Sequence, residues 1–183
     1  NSKPSFVNRR IIEGTALCIA AKNRNINVLY RLLSIPEIDT SLCDEKGNTP
    51  LLIAINNKNI DIAQTLIEFN GEKISQNEIN KCLKKLFYYY NNEKDDIIIV
   101  SMVDFLIKKF ITIKCIDPNV VYYDNNSLLF YAIENNDINL IKNLLQFDNI
   151  NPNITTNDNY DTPLMKSIKN LNIEISEILI KNS

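Results

Sequence analysis

The sequence contains no histidine, no tryptophan and only three glycines among its 183 residues. Without histidine there is no Ser-His or Cys-His catalytic pair, no histidine general base and no histidine-ligated metal. Three glycines are too few for a phosphate-binding loop, and the sequence has no GxGxxG, P-loop, GxSxG or EF-hand spacing. We therefore expect a protein that is not an enzyme and that uses no cofactor and no metal.

Strong charge of one sign and long apolar runs are also missing. The 20 Lys+Arg and 22 Asp+Glu residues give a net charge of −2, whereas nucleic-acid-binding proteins carry a basic surface. The longest apolar candidate, Ile97–Val100, is far shorter than the roughly 18 residues of a membrane helix. Residues 1–13 are too polar for a signal peptide. Neither nucleic acid nor a membrane is expected as a partner.

The cysteines and the residue bias indicate where the protein works and how to weigh its surface. The four cysteines are too far apart in the sequence for a CxxC metal or redox site, so we expect reduced thiols in the cytoplasm, a reducing compartment. These residues are Cys18, Cys43, Cys82 and Cys115.

The 29 Asn, 30 Ile and 16 Lys share A/T-rich codons, which indicates an AT-rich genome. A single surface asparagine therefore carries little functional information.

The sequence repeats itself. Segments that begin at Thr15, Thr49, Ser127 and Thr162 align with one another, in steps of 34, 78 and 35 residues. In each copy a Thr/Ser-x-Leu start opens one helix and an Asn/Asp-Ile pair opens a second. The long step leaves room for an expanded unit between residues 71 and 117. Five helix pairs are therefore predicted, and stacking must supply the core because one pair cannot bury its own apolar face.

The expanded unit has the pattern of two helices. Ser75-x-x-Glu78 is a capping box, and Asp95 or Asp96 can cap the second helix. Each helix has an apolar stripe at helical spacing, and we expect the first helix to be the elongated one. The first stripe is Ile79, Cys82, Leu83, Leu86, Phe87 and Tyr90, and the second is Ile99, Met102, Val103, Leu106, Ile107 and Phe110.

The copies resemble the ankyrin repeat, a 33-residue unit with a T-P-L-H-x-A signature. The closest copy is Thr49-Pro50-Leu51, which follows a Gly47-Asn48 turn and precedes Ala54. The resemblance implies an all-α solenoid of about five stacked helix-turn-helix repeats with short β-hairpin fingers, in one domain over residues 1–183. The expected repeats are about 11–43, 44–73, 74–117, 118–153 and 154–183.

Two departures from the ankyrin pattern matter. The signature histidine is replaced by Cys18, Leu52, Phe130 and Met165, so we expect apolar packing in place of its hydrogen bond between repeats. The turn glycine at position 47 becomes Asn125 and Tyr160 in later repeats. Asparagine tolerates the left-handed backbone conformation and tyrosine does so poorly, so the later fingers should be less regular.

The resemblance implies a non-catalytic protein–protein interaction module or scaffold. Its partner would lie on the concave surface that the fingers and first helices form. The family's variable positions correspond here to Glu45, Lys46, Asn48, Asn56, Asn57, Tyr123, Asp124, Asp158, Asn159 and Asp161. The alternative for each of these residues is an ordinary solvated side chain.

Tyrosines provide a second candidate binding feature. Tyr88 and Tyr89 fall off the apolar stripe of the first helix in the expanded unit, and Tyr122 and Tyr123 belong to the following finger. Stacking could place all four in one ledge, and tyrosine is enriched at binding hot spots. The alternative is that they cover the long helix and pack against the next repeat.

Two other roles stay open from sequence alone. Divergent ankyrin proteins of AT-rich parasites, intracellular bacteria and large viruses resemble effectors that bind or inhibit host factors, which would place this protein in a host cell. A regulatory repeat array of a longer, enzymatic protein is the other role.

Both ends of the repeat array look open: we expect a segment of a longer repeat protein, and the alternative is that the apolar end contacts a partner or a second copy. Otherwise we expect a monomer.

Overall fold

The computed structural model describes residues 6–11, 13–93, 96–113, 116–122, 127–155 and 160–182. Within these ranges ten α-helices follow one another in five pairs. They are α1 (Ala16–Lys22), α2 (Ile26–Leu33), α3 (Pro50–Asn56), α4 (Ile60–Asn70), α5 (Gln76–Asn92), α6 (Ile97–Thr112), α7 (Leu128–Glu134), α8 (Ile138–Leu144), α9 (Pro163–Lys169) and α10 (Ile173–Lys181). No helix in the described part of the chain is long and apolar enough to cross a membrane.

The repeated cap residues start the helices as predicted. Thr49 accepts a hydrogen bond from the Leu52 amide at 3.2 Å, and the equivalent residues Thr15, Ser127 and Thr162 cap their helices in the same way. A short polar side chain at the N-cap satisfies an amide that has no partner inside the helix. The second helix of each of these pairs begins directly after a polar residue whose side chain caps it in the same way. These residues are Asn25, Asn59, Asp137 and Asn172.

The third pair is expanded, but both of its helices are long. Ser75 caps α5 and Asp96 caps α6 with bonds to the Ile98 and Ile99 amides. The two helices have 17 and 16 residues, so the expectation that only the first is elongated was wrong. The second stripe is as long as the first because its buried side chains continue to Ile111. Each predicted stripe is buried along its whole length.

The chain divides into two compact units, Asn1–Cys115 with α1–α6 and Ile116–Ser183 with α7–α10. In the first unit the first helices α1, α3 and α5 pack side by side, and the second helices α2, α4 and α6 form the neighbouring layer. In the second unit α7 packs against α8 and α9, and α9 packs against α10. The single domain over residues 1–183 stays a prediction.

A short turn occupies the place of the predicted hairpin finger in the second repeat. In the best-described finger, residues 44–48, the Asp44 amide donates to the Asn48 carbonyl at 2.9 Å. The described residues contain one isolated β-bridge, between Ile11 and Gly14, and no longer β-ladder. The finger at 44–48 is therefore a turn without strands, because it closes over too few residues for a second pair of ladder bonds.

In four pairs the loop between the two helices contains a described residue with a left-handed backbone. These residues are Arg24, Lys58, Asn136 and Leu171, which occupy equivalent positions and have φ values of 52–56°. Tyr160, in place of the turn glycine, also has φ 52°. Asparagine adopts this conformation readily, but the larger side chains store strain in it. Asn125 lies outside the described residues.

Candidate functional site

The finger at residues 44–48 is held by the carboxylate of its first residue. Asp44 Oδ1 accepts hydrogen bonds from the Lys46 amide at 2.9 Å and the Asn48 amide at 2.8 Å, and Oδ2 accepts one from Asn48 Nδ2 at 3.1 Å. Desolvation opposes ionisation, but the bonds from Asn48 and Lys46 outweigh it and hold the pKa of Asp44 below its ordinary value. Gly47, with φ 75°, supplies the left-handed turn.

The five candidate residues of the second repeat lie at two ends of α3. Glu45 and Lys46 are exposed and Asn48 is half-buried, all in the finger at the N-terminal end of α3. Asn56 and Asn57 lie at the other end, about 10 Å away at 1.5 Å per residue. Asn57 takes part in contacts with the first repeat, because its carbonyl accepts a bond from Arg24 Nη2 at 2.6 Å.

Tyr88 and Tyr89 belong to a cluster of two rings and three charged side chains, which we call the tyrosine–lysine cluster: Lys58, Lys85, Tyr88, Tyr89 and Glu93. The two rings meet edge to face with centroids 5.9 Å apart. Lys85 Nζ lies 4.6 Å from each ring centroid, and Lys58 Nζ lies 5.1 Å from the Tyr89 centroid. Lys58 also forms an ion pair with Glu93. Cation–π contacts of this kind hold aromatic rings in defined orientations.

The two tyrosines differ sharply in exposure. Tyr88 is 40% exposed, whereas Tyr89 is 5% exposed and therefore packed, although it lies off the apolar stripe of α5. The reason is that α5 packs against α3 as well as α6, so a second side of the helix is covered. Tyr89 Oη donates to the Asn56 carbonyl at 2.9 Å. Burial, and then the Glu93 carboxylate, raise the pKa of Tyr89.

The other candidates lie in the second unit. Tyr122 is 6% exposed, and burial followed by the Asp117 carboxylate raises its pKa well above the ordinary value. Asp161 accepts two hydrogen bonds from Lys169 Nζ, at 2.8 and 2.7 Å, so its carboxylate is occupied by its own repeat. Tyr123, Asp124, Asp158 and Asn159 lie outside the described residues. The four-tyrosine ledge stays a prediction.

The four replacements of the signature histidine do not behave alike. Leu52 and Phe130 are buried, as expected for apolar packing. Cys18 is fully buried as well, and its thiol donates a hydrogen bond to the Leu42 carbonyl of the same repeat at 3.4 Å. A thiol keeps one weak donor that leucine and phenylalanine lack. Met165 is 51% exposed, which is contrary to the expectation.

The sequence analysis did not identify Lys58, Lys85 or Glu93. Lys85 could have been found, because it precedes Tyr88 by three residues and Tyr89 by four, and such residues are neighbours on a helix. Lys58 and Glu93 come from different repeats, and no sequence pattern links them. Among the described residues, no group of three or more Cys, Asp or Glu side chains could hold a metal ion.

Comparisons with known proteins agree with this architecture. A model of ankyrin repeats, three copies, matches residues 2–95 and 98–183. An ankyrin repeat domain from Acinetobacter baumannii AYE, known from a crystal structure, superposes with a TM-score of 0.59 and 19% identity over 99% of this chain and 88% of that one. No curated protein matches this chain in sequence. The predicted all-α ankyrin solenoid is thus confirmed, and the chain belongs to the ankyrin repeat family, whose members are generally non-enzymatic protein–protein interaction modules.

Proposed function

We propose that this protein binds another protein through one surface of its first unit, made by the finger 44–48, α3 and the tyrosine–lysine cluster. Tyr88 is the observation that supports this most directly. Its ring is 40% exposed and yet has a defined orientation against Tyr89 and Lys85. A large exposed ring that is already ordered loses little side-chain entropy when a partner covers it.

The polar side chains of the finger would contribute specificity at the same surface. Glu45 and Lys46 are exposed, and their backbone is fixed by the Asp44 carboxylate and by the left-handed turn at Gly47. Charged residues on a rigid turn favour one partner over another because their positions are set before binding. The finger and the cluster would thus act as a rigid, preorganised pair of contacts.

Affinity capture from source-cell lysate tests the proposal, with Tyr30→Ala as the matched control for Tyr88→Ala. Tyr30 is also exposed, at 56%, but lies on α2, a second helix, outside the proposed surface. We expect a partner that the wild type and Tyr30→Ala retain and that Tyr88→Ala loses at least tenfold in affinity. Circular dichroism must show that both variants are folded. Equal retention by both variants would refute a role for Tyr88.

Two narrower roles from the sequence stay predictions: a host-directed effector or inhibitor, and a regulatory array for an enzyme. They differ in the partner's identity. Mass spectrometry of the Tyr88-dependent partner distinguishes them, because an effector retains a host protein and a regulatory array retains a catalytic domain from its own cell.

A further inference from the structure

A small recess opens beside the finger 44–48. It has a volume of about 130 Å³ and lies between the finger side, with Cys43, Gly47 and Thr49, and the first turns of α5, with Glu78 and Lys81. Both walls belong to the first unit. The recess is well below the roughly 300 Å³ of the smallest ordinary ligand pockets, so it has room for the head group of one side chain.

Glu78 places a carboxylate in this recess. Its amide donates to Ser75 Oγ at 3.2 Å, as in a capping box, but its side chain does not reach back to the Ser75 amide. Oε1 instead accepts a hydrogen bond from the Thr49 hydroxyl of the preceding repeat. Among the described residues, none donates a hydrogen bond to Oε2. The carboxylate therefore keeps an open acceptor site next to the recess.

Burial makes the charged form of the Glu78 carboxylate less favourable than it is in water. Desolvation raises the pKa of Glu78 above its ordinary value, and the Thr49 bond and the Lys81 charge only partly offset it. A half-buried carboxylate with spare acceptor capacity gains from a cation that replaces the lost water. Lys81 can supply that charge only weakly, since it is exposed and forms no ion pair with Glu78 within the described residues.

We propose that the recess binds the guanidinium group of one arginine side chain from the protein partner, with Glu78 as its acceptor. Guanidinium fits better than ammonium because it is more weakly hydrated and presents several planar donors, and the recess is lined by the hydroxyls of Ser41 and Ser75 as well as by Glu78. This inference rests on the proposed function for its partner. The recess and its preference for a positive charge can be tested without the protein partner.

A small probe isolates the recess. N-acetyl-arginine N-methylamide, which carries no charge except its guanidinium, is titrated into ¹⁵N-labelled protein at millimolar concentrations, with the citrulline analogue as its neutral match. We expect saturable amide shifts at Thr49, Glu78 and Lys81 that are at least fivefold weaker with citrulline. The apparent affinity should fall as the pH is lowered, because Glu78 is then neutralised.

Glu78→Gln and Glu37→Gln complete the test. Both remove one negative charge, but Glu37 is exposed and is not among the residues that line the recess, and Gln at position 78 can still accept the Thr49 bond. Glu78→Gln should abolish arginine binding and Glu37→Gln should leave it within twofold. Equal binding of citrulline, an equal loss in both variants, or no saturable shift would each overturn the proposal. Because the capture experiment depends on Tyr88, either proposal can fail while the other survives.

Discussion

Ile55 and Ile168 occupy the same repeat position, six residues after the caps Thr49 and Thr162, but their surroundings differ completely. Ile55 is 0% exposed in α3, which packs against α5, whereas Ile168 is 56% exposed in α9. Replacing each by alanine removes three carbons, worth about 0.8 kcal/mol each when fully buried. At Ile55 a cavity adds to this, for a loss of about 3 kcal/mol. At Ile168 no closed cavity forms, and about 1 kcal/mol is expected.

Urea denaturation followed by far-UV circular dichroism measures this difference, with hydrogen exchange in α3 and α9 assigning each loss to its own unit. The reasoning is refuted if Ile168→Ala costs as much as Ile55→Ala. That result would mean that the exposed side of α9 is covered in solution. A second copy as the cover would show as a melting temperature that rises with protein concentration.

Three further predictions rest on local geometry. Glu78→Gln should raise the melting temperature at pH 7 but not below about pH 4.5. Because the pKa of Glu78 is raised in the folded state, the native protein binds a proton more readily than the unfolded chain does. The wild type therefore loses stability as the pH rises through the folded-state pKa of Glu78. Leu171→Asn should stabilise the protein by about 1 kcal/mol in urea denaturation, because the position is left-handed. Asn136→Leu should destabilise it by more than that, because it adds the same backbone strain and also removes the bond that Asn136 Oδ1 accepts from Asn172 Nδ2 at 3.0 Å. Tyr89→Phe should cost about 1 kcal/mol through the bond to Asn56, whereas exposed Tyr30→Phe should cost almost nothing.

The features that lie within one repeat could be predicted from the sequence. The Thr/Ser caps, the Asn/Asp caps of the second helices and the two stripes of the expanded pair all act over three to eleven residues. Hydrogen bonds such as that from the Leu52 amide to Thr49 depend on residue type and spacing alone, and both are visible in the sequence. The pattern of each helix pair was also easier to recognise because it appears four times in the sequence.

Sequence reasoning was weakest where one repeat meets the next. The apolar stripe alone left open whether Tyr89 is packed, because α5 has packed neighbours on two sides and only the stack reveals the second one. Met165 fits the packing pattern, and its exposure depends on what lies beside α9, which its own sequence does not encode.

The candidate binding features depend on contacts between repeats, which explains why the sequence revealed only part of them. Tyr88 was visible because exposure follows from its place off the stripe, but the ordering of its ring depends on Tyr89, whose own hydroxyl is anchored in the previous repeat. Glu78 was recognised as a capping residue, yet its carboxylate is directed to Thr49 of the neighbouring repeat. In a stack of near-identical helix pairs, the pattern that builds each pair is shared by all of them. What distinguishes one surface from another must therefore arise at the junctions between pairs, and the junction of the second and third pairs holds both the tyrosine–lysine cluster and the Glu78 recess.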